Sequence, residues 1–171
     1  MLAANTLLLQ LYLLFSYVAD GFAFAGEALS GRHWGAGNSA ALRTTVRHLF
    51  AWGGALAVLF SLVYLFAGTS LLGLLTDNDA VVLLANSYLP WVVLVPLCSV
   101  AAFLFDGIFV GLTATRGMLW SSFLAMLGFF AVWLLLRNDL GNHALWMAQL
   151  AYLALRGVTQ TTIYHRFACT H

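Results

Sequence analysis

The sequence predicts an all-α protein, a polytopic bundle of five helices that cross a lipid bilayer. Hydrophobic residues make up 63% of the 171 residues and charged residues only 8%, and the mean hydropathy is +0.92. Soluble domains carry about 25% charged residues, enough to cover a hydrated surface, so we expect the outer surface of this chain to face lipid. The net charge of +1 leaves no basic surface for nucleic acid.

Five apolar segments are each long enough to cross the membrane. A helix rises about 1.5 Å per residue and needs about 20 apolar residues for a hydrocarbon core of about 30 Å. The segments are continuous rather than alternating, and an open sheet edge could not satisfy its backbone in hydrocarbon, so strands are excluded. The predicted spans cover about residues 5–29, 46–75, 80–112, 117–136 and 143–163.

The arginines in the hinges between spans predict the orientation, because positive residues near span ends are retained in the cytoplasm. One set of span ends carries five of them: Arg32, Arg43, Arg47, Arg116 and Arg166. Arg156 lies one or two turns inside the last span. The opposite hinges contain Asp77, Asp79 and Asp139 against a single arginine, Arg137. We therefore expect a cytoplasmic C-terminus and an external N-terminus.

The beginning of the chain suggests that upstream helices are missing. Met1 is followed at once by an apolar span, without a positive leader or a signal-peptide cleavage site. An odd number of spans and an external start favour a truncated chain, and the alternative is a compact five-span protein.

Three acids lie inside the predicted spans, where an ionised carboxylate costs at least about 2.5 kcal/mol near the bilayer centre. Asp20 and Glu27 are seven residues apart, so about two helical turns place them on one face. Asp106 lies in the second half of the third span. Burial favours the neutral form of a carboxylic acid, so an acid that water reaches intermittently suits cation-coupled transport. Structural alternatives are an interfacial pairing of Glu27 with Arg32 or Arg43 and a hydrogen-bonded, neutral Asp106.

Glycines and prolines accompany the acid of the third span. Gly107 and Gly111 form a small-xxx-small pair that allows close helix approach, while Pro90 and Pro96 each remove a backbone hydrogen bond. The sequence therefore predicts a bent third helix. Bent helices beside acids are typical of transporter cavities, although proline kinks also occur in purely structural helices.

Three aromatic residues of the first span, Tyr12, Phe15 and Tyr17, are candidates for stacking on a flat organic cation. Packing against the core or lipid is the more common role of such residues. The five histidines lie at span ends or in the tail without metal-ligand spacing. We therefore expect neither a metal nor a cofactor.

Two parts of the sequence carry a family resemblance. The segments 4–10 (ANTLLLQ), 16–31 (SYVADGFAFAGEALSG), 34–38 (WGAGN) and 105–116 (FDGIFVGLTATR) resemble the multidrug and toxic compound extrusion (MATE) family. Within that family the resemblance is to the DNA-damage-inducible protein F (DinF) branch. It implies that the five spans are helices eight to twelve, the C-terminal lobe fragment, of a twelve-helix transporter in the bacterial inner membrane.

The resemblance also implies a function. Members of this family exchange drug-like compounds for protons or sodium by rocking two lobes between inward-open and outward-open states. Asp106 matches a tenth-helix acid that contributes to cation binding, and Asp20 and Glu27 match acids of the eighth-helix motif. The implied partners are the lipid bilayer, small organic and possibly cationic substrates, and the N-terminal lobe.

Two other classes remain open. The chain could be a non-transporting membrane adaptor, or a half-transporter that needs a separately encoded partner. A remote alternative is an aspartyl intramembrane protease, because Asp20 and Asp106 are each followed by glycine. The glycine-x-glycine-aspartate element of such proteases is missing, since Phe103 and Leu104 occupy the glycine and spacer positions.

Overall fold

The computed structural model describes residues 1–170 of the chain, and the side chains of residues 1–166. His171 and the side chain of Cys169 lie outside this part. The described residues form six α-helices, which confirms the all-α prediction. They are α1 (Leu2–Gly35), α2 (Ser39–Leu75), α3 (Asp79–Asn86), α4 (Leu89–Gly111), α5 (Thr115–Leu140) and α6 (Asn142–Thr170).

Four of these helices, α1, α2, α4 and α5, are long and apolar enough to cross a membrane. They carry large exposed apolar side chains such as Phe66, Leu74 and Leu135, as expected for helices in contact with lipid. A protein with this surface is a multi-pass membrane protein.

The fifth predicted span, residues 143–163, is helical as part of α6, but α6 does not reach the same apolarity over its described residues. The reason is a set of polar residues within it, above all Arg156 and Gln160. Gln160 is fully buried and Arg156 is half-buried, so these side chains face the other helices rather than lipid. The polarity of α6 therefore reflects its position inside the bundle.

The third predicted span, residues 80–112, is wrong as a single helix. The structure divides it into the short α3 and the longer α4, with a break at residues 87–88. Pro90 lies in the first turn of α4. Backbone N–H groups in a first turn have no partner within the helix, so the N–H that proline lacks costs no hydrogen bond there. Pro90 therefore begins a helix instead of bending one. Pro96 remains inside α4, fully buried, where it removes the N–H that would donate to Val92.

The connections between helices are shorter than the sequence predicts. The first hinge, expected over residues 30–45, is mostly helical, and only residues 36–38 separate α1 from α2. Asn38 caps α2, because its side chain accepts a hydrogen bond from the backbone N–H of Ala41 at 3.0 Å. Gly141 alone separates α5 from α6, with a φ of 52° that glycine adopts without strain.

Helix α4 occupies the middle of the bundle. It contacts α1, α2 and α6 extensively and α5 less, whereas α5 packs chiefly on α6. At one end the fully buried residues of α1 and α4 join Tyr64, whose hydroxyl donates to the carbonyl of Leu11 at 2.6 Å. At the other end Phe105, Ile108 and Phe109 of α4 form a second core with α2 and α6. Asp106 lies within this central helix.

The close approach of α1 and α4 depends on glycine, as the sequence predicts. A methyl group on Gly107 would overlap the backbone carbonyl of Ala23, and one on Gly111 would overlap the carbonyl of Glu27. Ser30 is buried in the same contact and donates a hydrogen bond to the carbonyl of Gly26. The two helices can therefore meet backbone to backbone in the two turns that follow Asp106.

Candidate functional site

Asp106 projects from α4 toward α6 and is held there by three hydrogen bonds. Nη2 of Arg156 donates to both carboxylate oxygens, at 2.9 Å and 2.7 Å. Nε2 of Gln160 donates to Oδ1 at 2.7 Å. Arg156 and Gln160 are four residues apart on a helix, which places both on one face of α6. The acid is therefore bound to a neighbouring helix and does not face lipid.

The ion pair is only partly shielded from its surroundings. The side chains of Arg156 and Asp106 are 21% and 23% exposed, while Gln160 is fully buried. Two atoms beside the pair lack hydrogen-bond partners among the described residues: Nε of Arg156, a donor, and Oε1 of Gln160, an acceptor. Buried donors and acceptors without partners occur where a side chain adopts more than one position or where a polar ligand binds. The pair is thus in a site with unused hydrogen-bonding capacity.

The first helix adds a second acid to this site. Asp20 of α1 is half-buried and lies within electrostatic range of Asp106. Tyr12, also on α1 and half-buried, lies within electrostatic range of both acids and of Tyr152 and Arg156 on α6. We call this set the polar cluster, and it consists of Tyr12, Asp20, Asp106, Tyr152, Arg156 and Gln160.

The charges of the polar cluster do not balance. With both acids ionised, it has two carboxylates, Asp20 and Asp106, and one guanidinium, Arg156. Among the described side chains, Asp20 forms neither a hydrogen bond nor an ion pair. An added cation would neutralise the remaining negative charge. Two of the three predicted acids therefore lie within electrostatic range of each other, and among the described side chains only Asp106 has a counter-ion.

Glu27, the third predicted acid, lies outside the polar cluster. It is half-buried on α1, about two helical turns beyond Asp20. Among the described side chains it forms no ion pair with Arg32, and its pairing with Arg43 stays a prediction. Its backbone carbonyl instead lies at the tight contact with Gly111.

The three candidate stacking aromatics do not form one surface. Phe15 is fully buried and packs edge-on against Phe60 and Phe103, with ring centroids 5.5 Å and 6.2 Å apart. Tyr17 is 70% exposed on another side of α1. Tyr12 alone belongs to the polar cluster, so it is the one of the three placed to meet a polar or cationic group there.

The residues that hold Asp106 were missed as site residues in the sequence. In the sequence, Arg156 is only one of the arginines that predict the orientation, and neither Gln160 nor Tyr152 is a candidate site residue. The available signal was a pair of strongly polar residues four apart in an otherwise apolar helix, which indicates a polar face turned toward the bundle. Which of the acids that face would meet depends on how the helices pack.

An acid held in a half-buried cluster at the centre of a multi-pass helical bundle defines an integral membrane protein with an internal polar site. The comparisons with known proteins specify the family. The MatE family model matches residues 1–140, and the chain belongs to this family, whose members are transporters and not enzymes. The aspartyl protease alternative is thereby set aside, and Asp106 is hydrogen-bonded to Arg156 and Gln160.

The chain is similar to DNA damage-inducible protein F of Escherichia coli (strain K12). The two are 41% identical over 165 residues, which cover 96% of this chain and 36% of that protein. The chain thus spans about a third of the length of its curated relative. No solved structure matches it.

Proposed function

We propose that this chain is the C-terminal part of a cation-coupled antiporter that exports drugs and toxic organic compounds across the bacterial inner membrane. The observation that carries the proposal is the position of Asp106, an acid inside the bundle that is bound to α6 and within electrostatic range of a second acid, Asp20. Membership of a transporter family and the similarity to DNA damage-inducible protein F support it. The coupling ion in this proposal is a proton or sodium.

In this mechanism Asp106 receives the coupling cation and Asp20 raises its local concentration. Cation binding changes the charge of the polar cluster and so favours one of two conformations, provided that the cation has different affinities for them. Substrate release follows the conformational change. In this proposal an N-terminal lobe is the partner for this motion, because alternating access needs two halves that move around a shared site.

Efflux measurements test the proposal. A pump-deficient bacterial strain expresses either this chain alone or the chain fused to the N-terminal helices of the E. coli relative, and the loss of a fluorescent dye is followed. We expect efflux from the fusion and not from the chain alone. Substituting Asp106→Asn in the fusion should abolish efflux without reducing membrane insertion. Asp139→Asn, which changes an exposed acid near the end of α5, is the matched control and should keep efflux.

Two results would contradict the proposal. Retained efflux in the Asp106→Asn fusion would remove this acid from the coupling mechanism. Absence of efflux from a fusion that inserts correctly would favour the non-transporting adaptor. A half-transporter with a separately encoded partner is the second candidate, favoured by the limited share of the relative that the chain covers. Efflux that appears only when the upstream helices are supplied as a separate chain would identify it.

A further inference from the structure

The guanidinium of Arg156 contacts the carboxylate oxygens of Asp106 to which an incoming cation would bind. One nitrogen, Nη2, lies 2.9 Å and 2.7 Å from the two carboxylate oxygens, and Gln160 takes a third hydrogen-bonding position. A proton or a metal ion that binds Asp106 must therefore share this carboxylate with a positive charge in direct contact, or replace that charge. Like charges repel strongly at such distances in a partly buried site.

We propose that Arg156 is a resident counter-cation of Asp106, and that a cation binding to Asp106 displaces its guanidinium and so breaks the ion pair between α4 and α6. The inference rests on the proposed function only where it identifies that cation as the coupling ion. Arg156 is then a positioning residue that makes cation binding and the α4–α6 ion pair mutually exclusive.

The surroundings of Arg156 are consistent with two positions of its side chain. Its Nε has no acceptor among the described residues, and 21% of the side chain is exposed, so the guanidinium is not enclosed on every side. The acceptor Oε1 of Gln160 is likewise unused in the present arrangement. Displacement would break two of the three polar contacts that Asp106 makes with α6.

Other charged groups near Asp106 favour the entry of a cation. Asp20 and Tyr12 face it from α1, and Tyr152, Gln160 and Arg156 belong to α6. Helices α2, α3 and α5 also contact α4, but within the described part of the chain no charged side chain of theirs forms a hydrogen bond or an ion pair with Asp106. The excess carboxylate, Asp20, therefore attracts the cation while Arg156 competes with it.

Cation binding to the chain itself tests the inference without relying on transport. The chain is placed in nanodiscs of phosphatidylethanolamine and phosphatidylglycerol, and binding of radioactive sodium and uptake of protons are measured at constant ionic strength. In an Arg156→Gln variant the competing charge is gone. We therefore expect the cation concentration at half-maximal Asp106-dependent binding to be at least about tenfold lower than in the unsubstituted chain. The Arg156→Lys variant keeps the positive charge, so its half-maximal binding should occur at a cation concentration close to that of the unsubstituted chain.

Two further variants establish which groups are responsible. The double variant Asp106→Asn with Arg156→Gln should lose the tighter binding, since the carboxylate is absent. Arg47→Gln removes an exposed arginine of α2 outside the polar cluster and should leave binding unchanged. Equal binding by the Arg156→Gln variant and the unsubstituted chain would overturn the inference, and so would a shift that survives in the double variant.

A second measurement needs no substitution that could prevent folding. In a chain labelled with nitrogen-15 arginine, the Nη signals of Arg156 report its hydrogen bonds to the carboxylate. We expect these signals to change over the same range of cation concentration as binding. Cation binding that leaves them unchanged would overturn displacement. Changed signals together with absent efflux in the fusion would contradict the proposed function alone, whereas efflux with unchanged signals would contradict this inference alone.

Discussion

At the scale of single residues, the ion pair between Asp106 and Arg156 dominates the energetics of the polar cluster. A charge inside a membrane protein is tolerated when it is paired, and removing one partner leaves the other uncompensated. For a fully buried pair this costs about 3–5 kcal/mol. The 21% and 23% exposure of the two side chains lowers the cost here, because the charge that remains keeps some hydration.

The pair should therefore show strong coupling in a double-mutant cycle. We expect Arg156→Gln to destabilise the chain by about 2 kcal/mol, and Asp106→Asn in the same chain to recover much of that loss. Thermal unfolding in detergent micelles, followed by circular dichroism, measures both effects. Arg47→Gln is the control and should change stability by less than about 0.5 kcal/mol. Additive losses from the two substitutions would show that the pair contributes nothing specific.

Asn5 makes a second polar contact that sequence reasoning did not single out. Its side-chain amide exchanges two hydrogen bonds with Asn142, at 2.7 Å and 3.0 Å, and accepts a third from Nε1 of Trp146 at 3.1 Å. Asn5→Leu should destabilise the chain by about 1–2 kcal/mol, because polar groups at the beginning of α6 lose their partner. Asn138→Leu, at an exposed position of α5, is the matched control in the same unfolding measurement. Equal stability of the two variants would contradict a structural role for Asn5.

At the scale of helices, the contact between α1 and α4 positions Asp106 relative to Asp20. Both helices have small residues at the contact, so their backbones approach closely. Asp20 of α1 and Asp106 of α4 therefore come within electrostatic range of each other. Hydrophobic burial supplies little force between helices in lipid, so the closeness of packing decides the stability of such a contact.

A methyl group at the contact should separate the helices. Gly107→Ala places a carbon against the backbone of Ala23, which cannot move aside as a flexible side chain would. We expect a loss of about 3 kcal/mol, the upper part of the range for overpacked cores. The control is Gly73→Ala on α2, where nothing lies within 4 Å of the added carbon, and it should be neutral or stabilising. Thermal unfolding of both variants decides, and equal melting temperatures would show that α1 and α4 can separate at little cost.

At the scale of the whole molecule, α4 and α6 are partly withdrawn from lipid while α5 lies at the periphery. Of the four helices that are long and apolar enough to cross a membrane, α5 has the fewest buried residues, and its exposed apolar side chains include Leu119, Trp120 and Leu135. Helix α6 carries its polar residues Arg156 and Gln160 toward α4.

Reporter fusions test the expected orientation. Green fluorescent protein at the C-terminus should fluoresce, and alkaline phosphatase there should be inactive, because the arginine-rich ends are retained in the cytoplasm. The same reporters inserted at residues 76–78, between α2 and α3, should give the opposite result. Active alkaline phosphatase at the C-terminus would contradict both the orientation and the insertion of α6 as a crossing.

The class of protein and the helical nature of its apolar segments can be predicted from the sequence alone, and Asp106 is a candidate site residue on the same basis. Those properties depend on composition and on local spacing: long apolar runs must be helical in lipid, an acid within them must be sheltered, and Gly107 and Gly111 mark one face of a helix. The packing of the helices was needed to show that Arg156 and Gln160, 50 and 54 residues further along the chain, hold Asp106. It also decided that Pro90 begins a helix and that Tyr17 lies apart from the cluster. The physical reason is that these outcomes depend on the rotation and register of the packed helices. Rotation and register are determined jointly by residues that are far apart in the chain.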